Sequence, residues 1–487
     1  MAELKHILYK VNLTAVVGST SIKVKNIHFD SRQIRKKDVF VAISGTVVDG
    51  HDYIDKAISQ GAIAVICESI PSELKNGISY IAVENSSRAL AIMASNYFNV
   101  PSENLKLIGV TGTNGKTTIA SLLYQLFKNA GYKVGLLSTV KIMVDDKHHD
   151  ATHTTPDSIT INKYLSEMNA EGVEFCFMEV SSHGIHQNRT NGLHFAGGIY
   201  TNLSHDHLDY HESFEEYRDV KKSFFDDLPN TAFSLVNTDD KNGLFMLQNT
   251  VSKKYTYALK SYANYRGRIL ENQFKGLLLK INENEVWTKL IGNFNAYNLL
   301  AIYGAADLLG LESVEILRLI SDLESVSGRF QYFVSEDGIT AIIDYAHTPD
   351  ALRNVLETIN NIRTKNEELI TVVGCGGDRD KMKRPKMANI ASNLSTKVIF
   401  TSDNPRSEDP AEIIEDMEAG VEPQHFKRTM SIVDRKQAIK TACQLAQPND
   451  IILVAGKGHE TYQEIKGKRS DFDDYKIVQE FLKQLQK

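Results

Sequence analysis

A glycine-rich turn between an apolar strand and a helix constrains the fold of this chain more than any other feature. Residues Leu105–Val110 predict a strand, and the turn after it reads Gly112-Thr113-Asn114-Gly115-Lys116-Thr117-Thr118. The next residues place large apolar side chains at helical spacing, and Lys133–Leu137 predict a second strand. A strand, a crossover helix and a second strand form a βαβ unit, which requires a parallel sheet.

The composition of this turn is typical of a phosphate-binding loop. Its glycines let backbone N–H groups surround phosphate oxygens, and the start of the helix adds positive potential. Lys116 is expected to reach the β- and γ-phosphates of a nucleotide, and the Thr117 hydroxyl to bind Mg²⁺. Val110 stands where the longer consensus has glycine or alanine, so this is a shorter variant. The strand and helix around it disfavour a chance glycine turn, but the loop alone does not say what ATP or GTP is used for.

Alternating strand and helix patterns divide the chain into three blocks. Its 487 residues are too many for one ordinary core, so two to four domains are expected. We predict domains over residues 1–101, 102–330 and 331–487. Strands of the last block are predicted at Ala341–Asp344, Ile370–Gly374, Val398–Thr401 and Ile451–Val454. The predicted class is α/β with parallel sheets, in which ligands bind at the carboxyl ends of strands.

Charge and cysteine content narrow the class of protein. The 55 basic and 61 acidic residues give a formal charge of -6, which argues against bulk binding of nucleic acid. The cysteines lie far apart without metal-binding spacing, so we predict buried free thiols at Cys67, Cys176, Cys375 and Cys443. The N-terminus lacks a signal-type apolar run, and no apolar stretch is long enough to span a bilayer. A cytoplasmic monomer with small-molecule substrates is expected.

Metal-binding residue types are concentrated in the middle block. Glu179 follows the apolar strand Phe175–Met178, and residues 202–211 read Asn-Leu-Ser-His-Asp-His-Leu-Asp-Tyr-His. A metallo-hydrolase of the HxHxDH type would use His205, His207 and Asp209, but its next ligand would have to be histidine where this chain has Tyr210. Oxygen donors such as Glu179 favour Mg²⁺ held with nucleotide phosphates over zinc. A purely structural role for these polar residues remains the alternative.

Six short motifs, taken in order, resemble the Mur ligase family. They are TGTNGKTT at 111–118, MEVSSHG at 178–184, TNLSHDHLDYH at 201–211, DYAHTP at 344–349, GGDRD at 376–380 and GKGHE at 456–460. The resemblance implies a UDP-binding N-terminal domain, a central ATPase domain and a Rossmann-like C-terminal domain. It also implies a reaction in which ATP phosphorylates a substrate carboxylate and an amine attacks the acyl phosphate, as in peptidoglycan synthesis.

The resemblance also implies a role for individual residues. Uridine diphosphate contacts are expected from Ser31, Thr46, Val47 and Val48, and muramoyl-dipeptide contacts from Thr154, Thr155, Ser181, Gln187 and Arg189. Mg²⁺ ligands are expected at Glu179 and His207, adenine-side contacts at Asn295 and Asn298, and further nucleotide contacts at Arg329 and Asp344.

Lys221 shows how much the resemblance adds to local pattern. Taken alone, one lysine of the Lys221-Lys222 pair would be interpreted as a solvated surface charge. The family carbamylates a lysine at the position that Lys221 matches, and a carbamate would offer an anionic oxygen beside Mg²⁺ and a transferring phosphoryl group. Lys221 is therefore predicted to be catalytic, together with Lys116, Glu179 and His207.

The sequence Asp403-Asn404-Pro405-Arg406 follows a predicted strand and, taken alone, indicates an ordinary turn. Within the family it resembles the signature of ligases that select meso-diaminopimelate over L-lysine. The far carboxylate of diaminopimelate suits the planar fork of an arginine, whereas the far ammonium of lysine would be repelled. Arg379, Gly456 and Glu460 are expected as further contacts, with Glu460 facing a substrate ammonium.

Other functions stay open at this point. One is a sister ligase that adds lysine or a dipeptide, or a folylpolyglutamate-type enzyme; the DNPR, TTP and SSHG segments argue against it. The other is a non-catalytic nucleotide-binding regulator, which would show a damaged phosphate loop or lost metal ligands. Lys116, Thr117, Glu179 and His207 are all present.

Overall fold

The computed structural model describes residues 1–45, 48–204 and 210–487. In these residues, three large sheets with helices packed against them follow one another along the chain. The predicted mixed α/β class with parallel sheets is confirmed. The predicted divisions after residues 101 and 330 fall between the sheets, and the domain boundaries themselves stay a prediction.

The first sheet has the strand order β2-β7-β6-β5-β4, with β2 antiparallel at one edge and the other neighbours parallel. Its strands and those beside it are β1 Ala2–Glu3, β2 Leu13–Val17, β3 Lys23–Val24, β4 Ile27–His28, β5 Asp38–Val41, β6 Ala62–Cys67 and β7 Ser79–Val83. Its helices are α1 Leu4–Ile7, α2 Ile54–Ser59 and α3 Ser86–Tyr97. Helix α3 begins where the Asn85 side chain accepts a hydrogen bond from Arg88 N at 2.8 Å.

The middle sheet has the order β11-β10-β9-β12-β8-β13-β14-β15-β16-β17-β18. The strands are β8 Lys106–Thr111, β9 Val134–Leu137, β10 Ile142–Val144, β11 Lys147–His149, β12 Phe175–Glu179, β13 Phe195–Tyr200, β14 Phe233–Asn237, β15 Lys253–Ala258, β16 Tyr265–Gln273, β17 Gly276–Ile281 and β18 Asn284–Thr288. The helices are α4 Lys116–Asn129, α5 Ser158–Ala170, α6 Ser182–His186, α7 Phe214–Asp226, α8 Gly243–Met246, α9 Asn293–Leu308 and α10 Ser313–Asp322.

Parallel pairing of β9, β12, β8 and β13 decides what meets at one edge of the middle sheet. Glu179 at the end of β12 pairs with Val110 of β8, and Tyr200 of β13 pairs with Thr111. The phosphate loop, Glu179 and residues 201–204 therefore leave the sheet side by side. The apolar face predicted for the helix after the loop is buried in α4.

The third sheet has the order β19-β20-β24-β21-β22-β23, parallel from β20 to β23. Its strands are β19 Gln331–Val334, β20 Thr340–Asp344, β21 Leu369–Val373, β22 Lys397–Phe400, β23 Thr429–Ser431 and β24 Ile451–Ala455, and a hairpin of β25 Tyr462–Ile465 and β26 Lys468–Asp471 follows. The helices are α11 Pro349–Ile362, α12 Lys383–Leu394, α13 Pro410–Glu418, α14 Arg435–Leu445 and α15 Asp474–Gln484. The strands predicted from the sequence are confirmed to within one or two residues at their ends.

Buried apolar side chains cover both faces of the middle and third sheets. The cysteines predicted to be buried free thiols are so: Cys67, Cys176, Cys375 and Cys443. Among the helices of the described ranges, none combines the length and the apolar character that crossing a bilayer requires.

Candidate active site

A cleft of about 1560 Å³ lies between the carboxyl edges of the middle and third sheets. One end, which we call the phosphate end, contains the loop 113–118 with Glu179 and Lys221. The opposite end, which we call the arginine end, is built from the loops 376–380, 403–408 and 456–464 and contains Arg379 and Arg406. The site residues predicted from the sequence thus lie mostly on facing walls of one cleft.

Glycine is required by geometry at two positions of the phosphate loop. Gly112 has φ +146° and Gly115 φ +91°, in the region that favours glycine. A Cβ on Gly112 would lie 1.9 Å from Thr201 Oγ1, so a side chain there would displace the neighbouring strand end. Lys116 Nζ donates to the carbonyl oxygens of Gly112 at 2.9 Å and Thr113 at 2.8 Å. Its ammonium is therefore held at the mouth of the loop.

Oxygen donors meet beside the start of α4. Thr117 Oγ1 donates to Glu179 Oε2 at 2.9 Å, and the Glu179 side chain is fully buried. Thr139, just after β9, donates from its backbone N to Glu179 Oε1 at 2.7 Å. Within the described residues, no three His, Cys, Asp or Glu side chains are arranged to hold a metal ion. A hydroxyl and a carboxylate at this spacing still suit Mg²⁺, which is commonly bound by one or two protein oxygens, substrate phosphates and water.

Lys221 and Lys222 lie on α7, and both are buried. The surface-charge interpretation of this pair is wrong, because Lys221 is 1% exposed and Lys222 7% exposed. Lys221 Nζ donates to Gly112 O at 3.1 Å, whereas Lys222 forms an ion pair with Asp226 at 2.6 Å. The two lysines point in different directions because neighbouring positions on a helix face different sides. Lys221 is the lysine that reaches the phosphate loop.

The residues predicted to contact the muramoyl-dipeptide surround the end of β12. Thr155 Oγ1 donates to Glu179 O at 2.8 Å and accepts from Ser181 N at 2.9 Å. Thr154 accepts a hydrogen bond from Thr139 Oγ1 at 3.0 Å, next to Glu179. Arg189 donates to Thr155 O at 2.6 Å and to Gln187 Oε1, also at 2.6 Å. Burial lowers the pKa of Arg189, and the Asp157 carboxylate opposes that change.

The predicted nucleotide residues come from α9 and from the connection to the third sheet. Asn298 Nδ2 donates to Asn295 Oδ1 at 3.0 Å, and both side chains are buried next to the phosphate loop. Arg329 Nη2 lies 3.3 Å from Thr117 Oγ1, and its guanidinium stacks 4.6 Å from the centre of the Tyr345 ring. Asp344 accepts from Phe330 N at 2.7 Å. Burial raises the pKa of Asp344 to about 6, although Arg329 acts to lower it.

Gly328, in this connection, is packed backbone to backbone against the loop after β24. It has φ +66°, and a Cβ there would lie 2.0 Å from His459 N. Gly458, with φ +53°, would place a Cβ 2.8 Å from Gly328 O. Tyr345 N also donates to Gly328 O at 3.0 Å. The connection between the middle and third sheets is thus in direct contact with the 456–464 loop.

Backbone and charged contacts fix the loops of the arginine end to one another. Arg406 adopts φ +51°, and its Nη1 donates to Gly377 O at 2.6 Å, while Gly377 N donates to Asn404 O at 2.9 Å. Glu408 accepts from Asp378 N at 2.6 Å and from Arg384, whose side chain is fully buried and also binds Asp416. The Arg384 guanidinium lowers the pKa of Glu408 to about 2. The guanidinium of Arg406 is therefore held in place rather than left free at the surface.

Pro405 and Asn404 are buried next to Arg406, and Asn404 Nδ2 donates to Glu460 Oε2 at 2.7 Å. Gly456 has φ +114°, and a Cβ there would lie 2.5 Å from Asp403 Oδ2. Arg379 is exposed and lines the cleft beside Arg406. This end thus offers two guanidinium groups and a partly buried carboxylate, which suits a substrate with both negative and positive groups.

Some predicted residues lie elsewhere. Ser31 is buried in a short 3-10 helix, Ser31–Gln33, and Val48 is 55% exposed; neither lines the cleft in the described part of the chain. Thr46, Val47 and His207 lie outside the described residues, as do His205 and Asp209 of the rival metallo-hydrolase pattern. Sequence reasoning missed Thr139, whose only signal is its place at the carboxyl end of a predicted parallel strand.

Comparison with known proteins agrees with this geometry. Three family models match: the Mur ligase family catalytic domain over residues 23–98, the Mur ligase middle domain over 110–306 and the Mur ligase glutamate ligase domain over 328–458. The chain is 52% identical over 486 residues to the UDP-N-acetylmuramoyl-L-alanyl-D-glutamate–2,6-diaminopimelate ligase of Cytophaga hutchinsonii, covering 100% of both. It is 52% identical over 480 residues to the protein of the same name from Bacteroides fragilis, covering 99% of both.

A solved structure of a ligase with that same name superposes with a TM-score of 0.71 at 31% identity, covering 100% of this chain and 99% of the other. Family models, full-length relatives and fold therefore agree. The chain belongs to the Mur ligase family, whose members are ATP-dependent ligases that form amide bonds.

Proposed function

We propose that this enzyme joins meso-2,6-diaminopimelate to UDP-N-acetylmuramoyl-L-alanyl-D-glutamate in peptidoglycan synthesis, using ATP. The observation that carries the proposal is the cleft itself, in which a phosphate loop faces Arg406, held by Gly377 O, and the neighbouring Arg379. The two relatives that match the whole length of the chain carry names with these substrates.

The facing ends suit a reaction in two steps. The γ-phosphoryl group of ATP is transferred to the terminal carboxylate of the dipeptide, and ADP leaves. The amino group of diaminopimelate then attacks the acyl carbon, and inorganic phosphate leaves with the amide bond formed. Lys116, whose Nζ contacts Gly112 O, and Arg329, whose Nη2 contacts Thr117 Oγ1, are the cations that would offset the negative charge of the transferring group.

Mg²⁺ is part of this proposal. Thr117 and Glu179 would hold it with His207 as a further ligand, and the ion would supply charge neutralisation for the ATP phosphates. We also propose that Lys221 is carbamylated, because its Nζ is buried at Gly112 O, where an anionic oxygen would lie close to both metal and phosphate. Carbamylation would also replace the buried ammonium of Lys221, which would repel Mg²⁺, by an anion that attracts it.

The arginine end accounts for the choice of amino acid. Arg406 and Arg379 can bind the far carboxylate of diaminopimelate, and Glu460 can bind an ammonium group. L-lysine has an ammonium where this pocket offers guanidinium groups, so the lysine-adding alternative is disfavoured. The non-catalytic alternative is disfavoured because the phosphate loop is intact. Lys116 contacts the carbonyl oxygen of Thr113, and Thr117 donates to Glu179.

A phosphate-release assay tests the proposal. Release should require ATP, Mg²⁺, the UDP-muramoyl-dipeptide and an amino acid together, and in a panel of meso-diaminopimelate, L-lysine and L-glutamate only the first should support fast turnover. Release without the dipeptide would indicate a simple ATPase, and a preference for L-lysine or L-glutamate would indicate a sister ligase.

A further inference from the structure

Lys457 is a fully buried lysine beneath the arginine end, in the loop after β24. Its side chain is 0% exposed, so no substrate can reach it. Its Nζ donates to Asn404 Oδ1 at 3.1 Å and to Glu460 Oε2 at 3.2 Å. The nitrogen also lies 5.4 Å from the centre of the Tyr462 ring. A buried ammonium with these partners is costly to place, which calls for a reason beyond packing.

The contacts of Lys457 fix the orientation of the Asn404 amide. Asn404 Oδ1 accepts from Lys457 Nζ and, at 2.9 Å, from Glu464 N, while Asn404 Nδ2 donates to Glu460 Oε2 at 2.7 Å. A flipped amide would direct its NH₂ group at two donors and its oxygen at a carboxylate. Lys457, together with Glu464 N, therefore favours the orientation in which Asn404 donates to Glu460.

The Lys457 ammonium favours the ionised form of Glu460. Burial, followed by repulsion from Asp403, raises the pKa of Glu460, and Lys457 and Asn404 act in the opposite direction. The charged and titratable groups that face Glu460 from the surrounding elements are Lys457, Asp403, Arg435, Tyr345, Tyr462 and Arg469. Of the cations in this set, Lys457 is the one in direct contact with the Glu460 carboxylate.

We propose that Lys457 is a positioning residue of the amino-acid site, whose buried ammonium keeps Glu460 ionised and aligned so that the pocket presents an anion to an ammonium group of the incoming amino acid. This inference rests on the proposed function, which assigns Glu460 to that ammonium. The Glu460 side chain keeps 16% exposure and lines the cleft, so its carboxylate is accessible from one side and held by Lys457 from the other.

Replacing Lys457 by methionine keeps the volume and removes the charge. Glu460 would then experience burial and repulsion from Asp403 with only the Asn404 hydrogen bond acting against them, and would bind a proton at higher pH. A protonated Glu460 attracts an ammonium less strongly, so binding of the amino acid would weaken as pH falls. A residue that served packing alone would change stability without moving a pH profile.

The experiment measures kcat/KM for meso-diaminopimelate against pH, with ATP and the UDP-dipeptide saturating, for wild type, Lys457→Met, Lys457→Arg and Glu460→Gln. The acidic limb is the part of the profile in which kcat/KM falls as pH is lowered. In Lys457→Met this limb should move to higher pH by about 1–3 units, mainly because KM for the amino acid rises. Lys457→Arg should restore the wild-type limb, and Glu460→Gln should lack it. Lys397→Met is the control. Lys397 forms an ion pair with Glu368 at the start of β22, whereas the arginine end lies beyond the end of that strand, so the pH profile of this variant should be that of wild type.

A Lys457→Met profile that coincides with wild type overturns the inference. If this variant does not fold, Lys457→Gln replaces it, combined with Glu460→Gln in a double-mutant cycle. Because both changes act on one group, the double variant should be no worse than Glu460→Gln alone, and additive losses overturn the inference. If Glu460→Gln itself keeps the wild-type limb and KM, the assignment of Glu460 in the proposed function fails instead.

Discussion

The two ends of the cleft are built in different ways. The phosphate end comes from one contiguous turn, in which glycines at 112 and 115 and the carbonyl contacts of Lys116 set the shape locally. The arginine end joins loops that are about ninety residues apart at the extremes, from Gly376 to Glu464, and hydrogen bonds from backbone N–H groups to the Glu408 and Asn404 side chains connect them. We therefore expect local backbone geometry to bind phosphate, and contacts between distant loops to shape the amino-acid site.

The largest expected effect is at the phosphate end. Lys116→Met should lower kcat by about a hundredfold to a thousandfold, because a fixed cation at the transferring phosphoryl group is lost. Phosphate release under saturating substrates measures it. Lys128→Met is the control: Lys128 lies on α4 like Lys116 but pairs with Asp145 just after β10, and its variant should keep near wild-type turnover. A Lys116→Met rate within threefold of wild type would mean that the loop shape alone carries the step.

Lys221→Ala should lower turnover by about a hundredfold, since the carbamate ligand that we propose for Mg²⁺ would be lost. Short-chain carboxylates should restore part of the activity by occupying the space. The matched control is Lys222→Ala, which removes a buried lysine paired with Asp226 on the other side of α7. Equal losses in both variants, without carboxylate rescue, would reduce Lys221 to a packing residue.

At the arginine end, Arg406→Ala should cost about 2–4 kcal/mol in kcat/KM for meso-diaminopimelate, or roughly thirtyfold to a thousandfold. The KM of the UDP-dipeptide should stay nearly unchanged, because its predicted contacts lie around β12. Arg406→Lys should recover only part of the loss, since an ammonium lacks the bidentate fork. Normal use of diaminopimelate by the alanine variant would leave Arg406 as a turn residue.

The smallest expected effect concerns pH. Because the pKa of Asp344 is raised to about 6, its carboxylate is ionised above that pH and protonated below it. The ability to accept hydrogen bonds from the nucleotide should therefore decline on acidification, lowering kcat/KM for ATP by about threefold to tenfold over the unit below pH 6. Asp344→Asn should lack this decline, so the ratio of wild type to variant isolates it from the titration of ATP. A constant ratio from pH 5 to 7 would contradict the assignment.

The same contrast explains what could be predicted from the sequence. The phosphate loop and the strands of the third sheet were predictable because their signals are contiguous and periodic. Lys221 was not recognisable from local pattern, because α7 packs it against the phosphate loop, and its hydrogen-bond partner Gly112 is more than a hundred residues away. Thr139 and Lys457 were missed for the same reason. Thr139 contacts Glu179 and Lys457 contacts Asn404, and only the packed strand order brings these pairs together.

The contact between Gly328 and the 456–464 loop has a mechanical consequence. There is no room for even one methyl group between Gly328 and His459, so the connection and this loop pack with their backbones in direct contact. A side chain at position 328 would therefore push the 456–464 loop, which carries Glu460, away from the connection between the middle and third sheets.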